Sequence, residues 1–259
     1  RAHFAIGVAA TGAADGERAL VAWRALGMEA TLEPGRPPVV EGLSPVLVRV
    51  AVRAPATSSA GLPDASAGFE DVRVERLSPC HGVVVSATRG DGICDAGDVV
   101  LFDVAPVRRG AIEGASVPVL PLLGLLHAGD ERRFRVLALE QEEGQAARLL
   151  SSIEGSTFVE HERRIETVCP RCAAGDVLVR HAHLPAEAHR AVLGKLVVPG
   201  GVSLEAVAAA LAASGAGKKG RSGVLLAIPA LHEAMGNAAE AGKHHKTWGA
   251  IERGVAGRT

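Results

Sequence analysis

The residues most able to do chemistry are Cys169-Pro-Arg-Cys172, followed by His181-Ala-His183. Two cysteines separated by two residues form a knuckle that can turn both thiolates toward one ion. Two histidines spaced two apart on a predicted strand present their rings on one face. The C-x2-C-x8-H-x-H spacing therefore predicts a Cys2His2 metal site, with Cys169, Cys172, His181 and His183 holding zinc in a structural role. His161, His189, Cys80 or Cys94 could complete such a site from elsewhere in the fold. A dithiol redox centre would need the CxxC at the start of a helix. The run Ala173-Ala-Gly-Asp, leading into a predicted strand, argues against that context.

A second chemistry is written in Gly215-Ala-Gly-Lys-Lys-Gly-Arg-Ser-Gly223. Glycines permit close backbone approach, and Lys218, Lys219 and Arg221 offer charge to phosphate oxygens. The loop is not a Walker A motif, because Ala212 and Lys219 stand where glycine and Ser/Thr are required and the predicted order is helix, loop, strand. It resembles the glycine-rich loop of the CRISPR repeat-associated RNA-binding proteins, over about a dozen residues and without that family's aromatic positions. That resemblance implies contact with an RNA backbone. The knuckle in turn resembles half of a zinc ribbon, departing from it in lacking a second CxxC and in having Ala173 where glycine commonly follows.

Other constellations are incomplete. His232-Glu-Ala-Met-Gly236 begins like a zinc-protease helix but has Gly236 in place of the second histidine. His244 and His245, flanked by Lys243 and Lys246, have the residue types for acid–base work on a phosphodiester. Asp91, Asp95 and Asp98 crowd one turn but lack the spacing and terminal glutamate of a calcium loop.

Charge adds direction. The 259 residues carry a formal net charge of -1, which excludes a uniformly basic nucleic-acid coat. All five lysines lie in the last third, so residues 191–259 are net +4 and residues 1–190 net −5. Tyr is absent and Phe and Trp together number 7, too few for a sheet that stacks bases on aromatic pairs. The 47% hydrophobic content excludes a disordered chain. Neither a secretory signal nor a membrane span is expected, since apolar runs such as Val117–Leu126 are short and interrupted by prolines. Four cysteines, two of them in the CxxC, point to a reducing, cytoplasmic compartment.

These residues need elements to hold them. Phe4–Ala9 reads as a strand, Asp15–Leu26 as a helix closed by Gly27, and Val46–Arg53 as a patterned strand. A polar stretch from Ala54 to Gly68 reads as a mobile loop. Short strands at residues 72–76, 82–86, 98–102 and 134–139 could close into a small barrel. The order VLVRV, Ser59–Asp64, HGVVV and Gly97-Asp-Val-Val-Leu-Phe102 resembles the co-chaperonin barrel. In that family a mobile loop binds a partner and barrels form a ring. Beyond the composition shift near 140, a helix is predicted near 142–153, strands at 157–161 and 164–168, and helices after Pro185, Ser203 and Pro229.

The expected fold is thus α+β. A β-rich part over residues 1–140, opening with a strand–helix unit, precedes a mixed α/β part over 141–259. The expected function is binding of RNA or DNA backbone, or another polyanion, within a larger assembly that has protein partners and no membrane. Two alternatives remain open: a non-enzymatic assembly protein built on a small barrel, and a metal-dependent hydrolase or nuclease using the Cys/His cluster.

Overall fold

A computed structural model describes residues 2–53, 67–174, 180–184, 187–213 and 224–252. The fold is mixed α+β and strand-rich, with seven helices among the described residues and a closed five-stranded barrel. The chain divides into two compact units, Arg1–Asp130 and Glu131–Thr259. That division falls one strand before the composition shift near 140.

The first unit opens with helices α1 (Ala2–Gly12) and α2 (Gly16–Ala25). The expected strand at Phe4–Ala9 is a helix instead. An apolar run of this length has no decisive period, and the partner decides. Gly7 lies against Trp23 so closely that an added Cβ would sit 2.4 Å from the indole. Phe4 packs edge-on to the same ring at a centroid distance of 5.4 Å. Asp15 caps α2 by accepting the Arg18 N–H at 3.1 Å.

The strands β1 (Ala30–Thr31) and β2 (Val39–Val40) form a small separate pair. Then come β3 (Val46–Arg53), β4 (Ala67–Arg76), β5 (His81–Val84), β6 (Asp91–Gly92), β7 (Val99–Phe102), β8 (Arg108–Ile112) and β9 (Ala115–His127). Antiparallel pairing links β3, β4, β5, β7 and β9 in turn. A parallel pair, Leu47↔Val119 to Arg49↔Pro121, closes the barrel. Period-two alternation sends Val46, Val48, Val50 and Val52 inward against Val72, Val74, Val100, Phe102 and Leu120. The predicted loop at residues 54–68, with Ser59–Asp64 inside it, falls almost wholly outside the described residues; only Ala67 and Gly68 are placed, on β4.

The second unit contains β10 (Arg132–Glu140), α3 (Gln145–Ser151), β11 (Thr157–Val168), α4 (Pro170–Ala173), β12 (Glu187–Val198), α5 (Leu204–Ala213), β13 (Val224–Ala227), α6 (Pro229–Ala234) and α7 (Ala238–Glu252). Its antiparallel sheet has the order β11-β12-β10-β13. Phe134, Val136 and Ala138 face one core with Leu150, Val207 and Leu231. Leu137 and Leu139 face the other core with Val168, Ala173, Trp248 and Ile251.

The helix expected after Pro185 is the strand β12. Its pairing on both sides, to β11 and to β10, outweighs a helix-like local composition. The helix expected from Pro229 to Ala241 is broken after Ala234, where Gly236 takes a φ of 72°. Glu140 is buried and accepts the N–H groups of Gly144 at 3.0 Å and Ala146 at 2.9 Å, satisfying donors at the start of α3. Among the described residues, no helix is long and apolar enough to cross a membrane.

Candidate metal centre

Strand β11 ends at Val168, whose side chain is in the sheet's second core, and the chain turns at once into α4. Cys169 is the N-cap of that one-turn helix and Pro170 its first residue. Proline suits this position because its missing N–H has no helical partner to lose. The Ala173 N–H returns to the Cys169 carbonyl at 2.9 Å, so Cys172 is carried round to the side of Cys169. The CxxC therefore does open a helix, contrary to the context expected from the sequence. The second pair of side chains comes from residues 180–184, which form no regular strand.

The four candidate ligand atoms all lie within 4.8 Å of one another. Cys172 Sγ is 3.4 Å from His181 Nε2 and 3.6 Å from His183 Nδ1, and Cys169 Sγ is 3.8 Å from His181 Nε2. Tetrahedral zinc, with sulfur at about 2.3 Å and nitrogen at about 2.0–2.1 Å, sets neighbouring ligand atoms roughly 3.4–3.8 Å apart. The cluster is thus close enough to hold a metal ion, and its donor set is compatible with zinc. His161, His189, Cys80 and Cys94 are not part of it. Cys80 and Cys94 are buried in the cores of the first unit.

Electrostatics favour the thiolate. Burial raises the Cys169 pKa, but backbone N–H bonds from Cys172 and Leu184 and side-chain bonds from His181 and His183 together bring it down to about 5. The Leu184 N–H reaches Cys169 Sγ at 3.3 Å. Both cysteines are buried, His181 is half-buried and His183 is exposed, so the thiolates sit on the protein side and the imidazoles on the solvent side. Arg171 inside the knuckle and Arg180 beside His181 are exposed. The Leu184 bond had no signal in the sequence, since it depends on how residues 180–184 return to the knuckle.

The remaining candidates fall into place differently. Lys218, Lys219 and Arg221, with the rest of the glycine-rich loop from Gly215 to Gly223, lie outside the described residues. His232-Glu233 and His244-His245 meet across α6 and α7. The His232 and His244 rings are 4.3 Å apart, and His245 Nε2 is 2.6 Å from Glu233 Oε1. His244 Nδ1 accepts the Ile228 N–H at 2.9 Å, which fixes its role as a clasp between the end of β13 and α7. Asp95 accepts Thr88 N–H at 2.9 Å and Asp98 accepts Asp95 N–H at 2.7 Å, so these carboxylates tie a turn.

Fold and site together define a strand-rich α+β protein with a closed barrel and a Cys2His2 group able to hold a metal. No family model matches the chain, and no curated protein matches it. Among solved structures it is similar to a hypothetical protein from Neisseria gonorrhoeae, at 9% identity and a TM-score of 0.32. That alignment covers 73% of this chain and 96% of the other.

Proposed function

We propose that the chain is a polyanion-binding component of a larger assembly, contacting RNA or DNA through its backbone phosphates, and that structural zinc holds its second unit together. The convergence of Cys169, Cys172, His181 and His183 within 4.8 Å carries the zinc part of this reading. Four protein donors fill a tetrahedral shell and leave no open position for substrate, which supports a structural over a hydrolytic role. The binding part is supported by the net +4 of residues 191–259 and by the exposure of Arg171, in the knuckle, and of Arg180, beside His181. Lys218, Lys219 and Arg221 supply the remaining phosphate contacts. With so few aromatic rings, recognition is phosphate-driven and weakly sequence-specific.

Elemental analysis and the 260/280 nm absorbance ratio of one purified sample report zinc and co-purified nucleic acid together. A salt titration of nucleic-acid binding then tests the phosphate contacts. Affinity that does not fall with salt, or no binding at low salt, rejects the nucleic-acid reading. The barrel supports a second reading, a non-enzymatic assembly module. A closed ring in solution without bound nucleic acid would favour it.

A further inference from the structure

The centre's two kinds of ligand come from two segments. Both sulfurs belong to residues 169–172 and both imidazoles to residues 180–184. Joining the sulfurs to each other removes two ligands in one event and leaves only a histidine pair. The same knuckle is part of a core. Val168 and Ala173, immediately outside the two cysteines, pack in one cluster with Trp248 and Ile251 of α7 and with Leu137, Leu139 and Ala191 of the sheet. What happens to the sulfurs is therefore felt by α7.

Resting on the zinc reading above, we propose that the centre is an oxidant-released clasp, in which disulfide formation between Cys169 and Cys172 expels zinc and loosens α7 from the sheet. The oxidant is a peroxide. One thiolate attacks a peroxide oxygen, giving a sulfenic acid and hydroxide. The second thiolate then displaces the sulfenic oxygen as hydroxide, forming the S–S bond. For hydrogen peroxide, two thiolates, one peroxide and two protons become one disulfide and two waters. The sulfurs lose two electrons, the peroxide gains them, and Zn2+ leaves unchanged in oxidation state. Spacing permits the bond, because Cys169 caps the helical turn that contains Cys172 and their Sγ atoms lie within 4.8 Å. The solvent side of the centre is the imidazole side, where His183 is exposed, so a small oxidant approaches past the labile ligands.

The test uses the full chain loaded with zinc and carrying Trp23→Phe, so that Trp248 is the single indole. Equimolar hydrogen peroxide should release one zinc ion per chain to a chromogenic chelator. Peptide mapping should find about 2 Da lost from the peptide spanning residues 169–172. Trp248 emission should shift to the red over the same time course, and a thiol reductant with added zinc should reverse all three changes. Cys172→His retains four nitrogen and sulfur donors but cannot form the disulfide, and it should lose at least tenfold less zinc under the same peroxide. Zinc retained after peroxide, or equal release from the Cys172→His variant, overturns the clasp alone. A chain that takes up no zinc overturns the zinc reading as well. Release with Trp248 emission unchanged overturns the coupling to α7.

Discussion

Leu184 donates its backbone N–H to Cys169 Sγ at 3.3 Å, tying the segment that carries both histidines to the first cysteine of the knuckle. The bond favours the thiolate before any metal arrives, and it orients the sulfur. Leu184→Pro removes this donor and leaves all four ligands in place. Zinc affinity should weaken about 10–100-fold, measured by competition with a chelator of known affinity. An unchanged affinity would show that the bond has no bearing on the metal.

Ligand substitutions should separate by burial. Cys169→Ser removes a buried thiolate and should abolish zinc binding, with the second unit losing its cooperative unfolding transition. His183 is exposed, so His183→Ala should weaken zinc binding while leaving the apo fold unchanged. Calorimetry with and without chelator distinguishes the two.

Acid should weaken the first unit through His81. Its ring is buried, and that burial pushes its pKa from 6.5 down to about 4. Between those values the unfolded chain takes up a proton that the folded one refuses. Stability is therefore full above pH 6.5, falls as the pH drops through the window, and levels off below 4. The loss should be about 3 kcal/mol, read from denaturant unfolding at pH 7.5, 5.5 and 4. His81→Gln should flatten that slope.

The second unit has its own acid-sensitive contact. Burial, with His232, Lys243 and His245 nearby, pushes His244 down to about 4, while Glu240 acts against the shift. Protonated Nδ1 cannot accept the Ile228 N–H, so the clasp opens on the acid side of the same window. NMR titration should show the Ile228 amide and the His244 ring moving together. Independent movement would contradict the clasp.

Replacing Lys218, Lys219 and Arg221 with alanine should lower the slope of log affinity against log salt by roughly 2–3. A slope unchanged by the triple substitution would place the phosphate contacts elsewhere on the chain.

What the sequence disclosed follows the range of the forces involved. Ligand type and spacing are local, so Cys169, Cys172, His181 and His183 are legible in the sequence. So is the valine alternation of β3, since period two needs no knowledge of the partner. Phe4–Ala9 reads locally as a strand, whereas its helical form depends on Trp23 meeting Gly7, a contact between two separate helices. Strand β12 reads as a helix because Pro185 and a helix-like composition speak locally, whereas its pairings to β10 and β11 are remote. The meeting of His232-Glu233 with His244-His245 was hidden in the same way, behind the turn at Gly236.

The closing of the barrel has a consequence for how this chain is made. Strand β3 is synthesised early, yet its parallel mate at Val119–Pro121 emerges only at the end of the barrel. Until then the inward valines of β3 have no finished interior to enter. One edge of the strand also stays open to any other extended chain. Arg49 interrupts that valine-rich stretch with a charge, the kind of residue that discourages such pairing. Translation speed through residues 54–121 thus sets how long the nascent chain is vulnerable to aggregation.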